Sequence, residues 1–398
     1  MGKKEVRSKG LGTLMMRKIR VLFVMGGIMR RAGAETMIMQ YLRQLVKDDR
    51  FEFSILVHGY EKGDYDDEIA SYGVPIYHVP VRGKHPFTYS HEVKKILMVH
   101  RVDIIHCNMD SACGYFLSIA KKCGIQHRIA HSHTTRYQAQ SGIKKAIGER
   151  SKRKIHTVAT VRLACSEKAG RWLFGKDPFE IVNNAIDLRL YLPCDDVRKK
   201  KRDELRIVEN AFVIGHVGRL CYEKNHKFLL QVFAQVKKLR QNSKLILVGV
   251  GDLMEEMKEY AVELGINTDV LFLGLRSDIP ELLQAMDCFV MPSIFEGLPV
   301  SGIEAQAAGL PCLFANTITR EICMTSFAKL LPLDKIDEWT KELLQVPNSK
   351  NIFEAQEQLR KKGYDIVHEA CKLAEHYLKY FSHSAVLGVK SCAEDTKK

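Results

Sequence analysis

Short runs rich in Val, Ile, Leu and Phe recur along the chain, and most are followed by a stretch whose apolar residues fall three and four positions apart. A run of four to eight apolar residues reads as a buried strand, and the longer spacing as an amphipathic helix. In the first half the runs lie at residues 20–25, 53–57, 103–107, 128–131, 162–165 and 180–182. The second half repeats the scheme at 212–217, 244–248, 270–273, 288–291, 311–314 and 328–331. Strands alternating with helices predict parallel sheets, since a parallel neighbour is reached only through a crossover. Two doubly wound α/β domains follow, alike in architecture but without a residue-level repeat. Near the end, Ile366, Val367, Ala370, Leu373, Ala374, Tyr377 and Leu378 form one stripe of a helix over 364–381.

Length agrees with two domains, because 398 residues exceed the range over which a single core usually grows, and 46% hydrophobic content fills two cores. The expected partition is a disordered leader at 1–17, a first domain at 18–190, a hinge at 191–210, a second domain at 211–362, a return helix at 363–382 and a polar tail at 383–398. The charged run between Leu192 and Arg206 marks the hinge. Met15 and Met16 stand just before the first strand, so the residues ahead of them read as a leader or an overextended start.

Composition narrows the partners. No run of 18 apolar residues is present, and the basic N-terminus lacks the apolar core of a secretory signal. Eleven cysteines, scattered singly without a C-x-x-C pair, argue against a disulfide framework and a zinc site and for a reducing cytosol. The formal charge of +14 favours anionic partners. Basic residues gather at Lys144-Lys145, Arg150, Lys152-Arg153-Lys154 and 198–202. Between Ile143 and Val161 they interleave with apolar residues, as in a helix lying on an anionic membrane surface; a solvated basic face is the plainer alternative. Nucleic acid is not expected, because no aromatic-rich basic strand or reading helix accompanies the charge.

Candidate chemistry concentrates where strands break into loops. Met291-Pro292-Ser293-Ile294-Phe295-Glu296-Gly297-Leu298-Pro299 leads into a helix carrying Glu304. Open α/β sheets bind ligands outside the carboxyl ends of their strands, and a helix start suits a diphosphate. Glu296 and Glu304 can accept hydrogen bonds from hydroxyls on either side of that anion, which describes a nucleotide sugar. The competing reading makes Ser301-x-x-Glu304 a capping box and Glu296 a solvated loop residue. Gly26-Gly27 and Gly33 flank a basic loop with Arg30 and Arg31, where backbone can approach a phosphate or simply turn. Arg219 and Lys224 are two cations near one strand end, suited to a departing diphosphate. His131 and His133 read as lying on opposite faces of an extended segment, so one is expected to enter a cleft and a metal pair is a poor reading. Asp64-Tyr65-Asp66 reads as a capping or surface cluster, and the transitions at 247–252 and 271–276 as ordinary turns.

The stretch Phe295-Glu296-Gly297-Leu298-Pro299 through Glu304-Ala305 and Ala308-Gly309-Leu310-Pro311, with Gly215-His216-Val217-Gly218-Arg219-Leu220 and Lys224-Asn225-His226 upstream, resembles the motifs of family-four glycosyltransferases. Matching features run from about residue 20 to about residue 381. The resemblance implies the GT-B fold, two Rossmann-like domains facing across a cleft with the last helix crossing back to the first, and retaining transfer without a metal or other cofactor. It implies an acceptor-side first domain and a nucleotide-sugar-binding second domain, with a UDP-sugar as the expected donor. Glu296 would hold the transferred sugar, Glu304 the ribose, Arg219 and Lys224 the diphosphate, and His131 a sugar hydroxyl near the reacting carbon. Gly297, Leu298 and Pro299 belong to the same donor loop, Gly26 and Gly27 face the diphosphate, and backbone around Leu275 and Arg276 contacts the base. Ala130-His131-Ser132-His133 and Gly33-Ala34-Glu35 look most like bacterial members that build capsular or exopolysaccharide units, which suggests a lipid-linked or growing-glycan acceptor at the inner membrane face. Asn183-Asn184-Ala185-Ile186-Asp187 departs from the commoner Asn-Gly-Ile-Asp ending. A nucleotide-sugar epimerase of the same fold and a noncatalytic subunit of a polysaccharide assembly complex are the alternatives.

Overall fold

The computed structural model describes residues 17–83, 86–135, 142–347 and 351–394, so most of the leader lies outside the described residues. Among the described residues the first sheet contains β1 (Ile19–Met25), β2 (Phe51–His58), β3 (Ile76–Val79), β4 (Ile104–Asn108), β5 (His127–Ser132), β6 (Val161–Ala164) and β7 (Glu180–Ile181). Their order is β3-β2-β1-β4-β5-β6-β7. The second sheet contains β8 (Phe212–Val217), β9 (Ser243–Val248), β10 (Val270–Phe272), β11 (Cys288–Met291), β12 (Cys312–Ala315) and β13 (Ala328–Leu331), in the order β10-β9-β8-β11-β12-β13. The pairings are parallel throughout.

The twelve runs expected from the sequence appear as strands, with ends shifted by a residue or two. β3 was not foreseen. Its four residues lie between Pro75 and Pro80 and only Val79 is buried, so it carries neither a continuous apolar run nor a clean alternation. It is an edge strand, where flanking prolines cost no ladder bond.

The central strands are buried on both sides, and their alternate residues feed two cores. Val21, Phe23 and Met25 pack with the helix Gly33–Leu45 and the last helix, while Leu22 and Val24 pack on the other face with Tyr89, Phe116 and Leu117. Each such aliphatic side chain contributes about 1.5–3 kcal/mol on burial. The last helix, Ile366–Glu394, sends Ile366, Ala370, Leu373, Ala374 and Tyr377 into the first domain's core. The crossing back expected from the resemblance is therefore present, with Val367 left on the open side. The helix continues through residues 383–394, the segment read as a polar tail.

Strand order reverses direction at β1 and β4 in one sheet and at β8 and β11 in the other. Helices leave such neighbouring strands toward opposite faces, so a crevice opens beyond their carboxyl ends. Met25 is level with Asn108 in the ladder, so both loops depart at one height. Each domain thus presents a rim of loops at the carboxyl ends of its strands.

Residues 191–210 hold the helix Asp195–Glu204. Its basic run is tied to the second domain: Arg198 and Arg202 pair with the two oxygens of Asp287 at 2.6 and 2.9 Å, and Lys201 pairs with Asp278 at 2.6 Å. Asp287 also accepts the Val213 N–H at 2.7 Å, which anchors the start of β8. Arg202 is almost wholly buried, so its charge depends on that partner. Replacing Asp287 by Ala is expected to destabilise the second domain by about 3 kcal/mol, because a buried guanidinium is left unpaired. Urea unfolding followed by circular dichroism checks this, and an unchanged midpoint would contradict it.

Candidate active site

On the second domain, β8 ends at Val217-Gly218-Arg219. A Cβ at Gly218 would meet His216 Nε2 at 2.9 Å and Lys224 Cε at 3.1 Å, so glycine lets the lysine stem lie against the backbone. One at Gly249, where φ is +138°, would run into the Gly218 carbonyl. The loops after β8 and β9 are thus in backbone contact, and Gly218 N–H donates to Val248 O at 2.9 Å. A short 3-10 turn, Tyr222–Lys224, then ends at Asn225 in the left-handed region (φ 55°, ψ 47°), and the helix His226–Leu239 begins. Asn is among the few residues that tolerate this conformation.

The turn brings Lys224 Nζ into contact with Glu296 Oε1. The two side chains are 16% and 18% exposed, so the pair is shielded but open on one side. The loop after β11 is held to the same turn by the Ile294 N–H, which donates to Glu223 O at 2.8 Å. Thr317 Oγ1 braces it from behind by donating to Ser293 O at 2.8 Å.

Glu304 is the fifth residue of the helix Val300–Ala307. The capping-box alternative is not formed: the N-cap is Pro299, and Ser301 Oγ donates to Val217 O at 3.0 Å, pinning the helix start to the end of β8. Glu304 Oε1 instead accepts the Tyr191 hydroxyl at 3.0 Å. Burial raises the Glu304 carboxyl above its ordinary range, and the Tyr191 bond opposes this. Tyr191 was missed because nothing in Leu190-Tyr191-Leu192 distinguishes it from an apolar anchor. Gly297 is exposed, whereas Leu298 packs partly on the core below.

Arg219 is exposed beside the Cys221 side chain, with Glu223 and Asp252 further out, and all three favour its charged form. Leu275 is 72% exposed. The Arg276 guanidinium is held by Asp278 and Glu204 at 2.7 and 2.8 Å, so its side chain is occupied while the loop backbone stays with Gly274, whose carbonyl accepts the Gly249 N–H.

On the first domain, Gly26 and Gly27 have open space where a Cβ would sit. The basic loop beyond them is braced by the acidic cluster: Asp64 accepts the Arg31 N–H at 2.9 Å, and Arg30 pairs with Glu61 at 3.2 Å. Asp64-Tyr65-Asp66 is accordingly a scaffold for that loop, with Asp66 accepting the Gly63 N–H.

The histidines correct one expectation. The His131 and His133 rings lie side by side with centroids 4.1 Å apart, because side chains two apart along an extended strand share a face. His131 is fully buried, and its Nδ1 lies 2.9 Å from His106 Nε2, whose own Nδ1 lies 2.7 Å from Tyr377 Oη. His131 Nε2 has no hydrogen-bond partner among the described residues. His133 Nε2 meets Asn108 Oδ1 at 2.9 Å. Asp110, at φ 47°, accepts the His133 and Thr134 N–H groups at 2.7 and 3.2 Å. Burial pushes His106 down to about 3, His133 to about 4 and His131 well below its ordinary value, so the three rings are neutral. His106, Asn108 and Asp110 escaped the sequence reading; their recurrence along one strand and its exit was the available signal. Among the described residues no group of three or more His, Cys, Asp or Glu side chains is arranged to hold a metal.

The chain as a whole has counterparts among known proteins. The family model Glycosyltransferase Family 4 matches residues 31–190, and Glycosyl transferases group 1 matches residues 197–366. EpsF of Bacillus subtilis (strain 168), named as a glycosyltransferase, is 36% identical over 311 residues, covering 76% of this chain and 80% of EpsF. The Escherichia coli UDP-Gal:alpha-D-GlcNAc-diphosphoundecaprenol alpha-1,3-galactosyltransferase is 26% identical over 355 residues, 84% of this chain and 91% of that protein. Anabaena HepE, solved with UDP and glucose, superposes with a TM-score of 0.71 at 20% identity, over 90% of this chain and 99% of HepE. The chain belongs to the group 1, Family 4 glycosyltransferases and has their GT-B fold.

Burial raises the Asp110 carboxyl to about 6, against the pull of its two backbone donors. A carboxyl raised on folding binds more protons folded than unfolded, so its stabilising effect is present below about pH 4 and is lost as pH rises through 6. Asp110→Asn removes this dependence while keeping a carbonyl acceptor. Its stability relative to the parent is therefore expected to rise by up to about 3 kcal/mol between pH 3.5 and pH 7. Denaturant midpoints across that range check it, and a constant difference would refute it.

Proposed function

We propose that this glycosyltransferase moves a sugar, with retention of configuration and without a metal, from a UDP-sugar to a lipid-linked or glycan acceptor in surface polysaccharide synthesis. The observation that carries the reading is the shielded Lys224–Glu296 pair at the head of the helix bearing Glu304, at the second sheet's switch point. A diphosphate entering there meets Lys224, Arg219 and the N–H groups of the helix start. Glu296 faces hydroxyls of the sugar, and Glu304, steadied by Tyr191, faces the ribose. The UDP and undecaprenyl-diphosphate chemistry named for the galactosyltransferase relative, and the UDP bound to HepE, support the donor and acceptor classes.

In the reaction the bond from the sugar's anomeric carbon to the bridging phosphate oxygen breaks, and one to the acceptor oxygen forms. The acceptor's proton passes to the departing diphosphate. Negative charge grows on that diphosphate, so Lys224 and Arg219 stabilise the transition state more than the ground state. Attack from the leaving group's own side accounts for retention without a covalent sugar–enzyme intermediate.

The basic helix Gly142–Val158 is a candidate membrane contact. Ile143 and Ile147 are 75% and 44% exposed beside exposed Lys144, Lys145 and Arg150, and Phe87 is 90% exposed. Phe87 lies in the helix Pro86–Val99, and both helices start on the side where the strands end, the side proposed here for the acceptor. No described helix is long and apolar enough to cross a membrane.

Kinetics with EDTA present tests the site. Lys224→Ala is expected to lower kcat by about a hundredfold or more, Glu304→Ala to raise the donor KM with little change in kcat, and Glu296→Gln to fall between. Circular dichroism verifies folding first. Folded Lys224→Ala and Glu296→Gln enzymes working at the parent rate would overturn the proposal, as would release of an epimerised donor with no acceptor added.

Co-sedimentation tests the surface. Binding to vesicles is expected to rise with anionic lipid content and weaken with salt. Equal binding to neutral vesicles would remove the electrostatic contact.

A further inference from the structure

We propose that Tyr377, His106 and His131 form a buried relay that fixes the proton of His131 on Nε2, so that the ring offers an N–H donor and no base at the carboxyl end of β5. That this donor serves a hydroxyl or phosphate oxygen of the nucleotide sugar rests on the function proposed above.

The three side chains come from the last helix, β4 and β5, and all are fully buried. Tyr377 Oη and His106 Nδ1 are 2.7 Å apart, and His106 Nε2 and His131 Nδ1 are 2.9 Å apart. A neutral imidazole has one N–H and one bare nitrogen, so only two proton orders satisfy both links. In the first, the Tyr377 hydroxyl donates to His106 Nδ1, and His106 Nε2–H donates to His131 Nδ1. In the second, His131 Nδ1–H donates to His106 Nε2, and His106 Nδ1–H donates to Tyr377.

Counting unmet groups separates them. In the second order the Tyr377 O–H needs another acceptor, and among the described residues none is within hydrogen-bond distance. A buried O–H without an acceptor is costly. The first order spends that proton on His106 and leaves one unmet group, the N–H at His131 Nε2, which is the atom without a partner. Burial keeps both rings from gaining a second proton, which would break the order. An unmet buried donor at the ligand end of a strand is what a missing oxygen acceptor would complete.

The source of the order is on the helix that crosses from the second domain, so the first domain's site is set by a residue that only the return crossing supplies. Tyr377 and His106 are positioning residues: they act through His131 and touch no substrate.

Nitrogen-15 spectra of histidine-labelled protein test the relay. His131 is expected to be protonated at Nε2 and bare at Nδ1, without change between pH 5.5 and 8. Tyr377→Phe keeps the ring that packs edge-on against Phe51 at 5.9 Å but removes the hydroxyl, and His131 should then become a mixture of tautomers. A parent His131 protonated at Nδ1, or His131 shifts unmoved in Tyr377→Phe, would overturn the relay. Should Tyr377→Phe fail to fold, the parent spectrum alone decides. Calorimetry separates the relay from the donor reading. The variant should bind a UDP-sugar about two- to tenfold more weakly, the size of one hydrogen bond, with UDP binding unchanged if the acceptor is a sugar hydroxyl and equally weakened if it is a phosphate oxygen. Expected tautomers with unchanged UDP-sugar binding would uphold the relay and remove His131 from the donor site.

Discussion

The chain's return from the second sheet to the first is the constraint on which the site depends. Ile366, Ala370, Leu373, Ala374 and Tyr377 bury against the first domain, and the outgoing and returning segments are laced together where they cross. Ile186 bridges Asp365, the Asn183 amide donates to the Lys362 and Gly363 carbonyls, and Tyr41 Oη donates to Asn183 O. These contacts fasten the outgoing segment to the returning one where the chain passes between the two sheets. The sequence Asn183-Asn184-Ala185-Ile186-Asp187, which departs from Asn-Gly-Ile-Asp at Ala185, still makes these contacts through Asn183 and Ile186.

The two rims differ electrostatically. On the first domain three neutral histidines surround β4 and β5, and the Asp110 carboxyl, raised to about 6, is the acidic group beside them. On the second domain Lys224, Arg219 and the start of the helix Val300–Ala307 are positive, with Glu296 balancing part of that charge. The positive side would attract an anion, while the side by β4 and β5 presents uncharged imidazoles. This division suits a ligand that is charged at one end and polar but uncharged at the other.

Part of the basic excess is spent inside the fold. Arg198, Lys201 and Arg202 hold their helix to Asp287 and Asp278, so this run, which stands out in the sequence, is architectural. The cluster near Ile143 differs, since its lysines are exposed alongside exposed isoleucines. Charge runs that look alike in sequence are distinguished by what lies across from them in space.

Local patterns were enough for the alternation of strand and helix, the two parallel sheets and the Gly/Pro loop around Glu296, because strand and helix periods and Gly/Pro loops are written in consecutive residues. The edge strand β3 was not legible, since an edge needs no continuous apolar run. His131 was found through a family pattern, but its orientation beside His133 follows from the period of a strand and was misjudged. Tyr191 on Glu304, Asp287 on Arg202, and Tyr377 on His106 pair residues from distant parts of the chain. Each partner alone looks like an ordinary tyrosine, aspartate or histidine. The sequence by itself determined most of the strands and helices and the loops that join them; only the tertiary structure decided which buried polar groups meet, because a buried donor or acceptor finds its partner by proximity in the folded core and not by spacing along the chain.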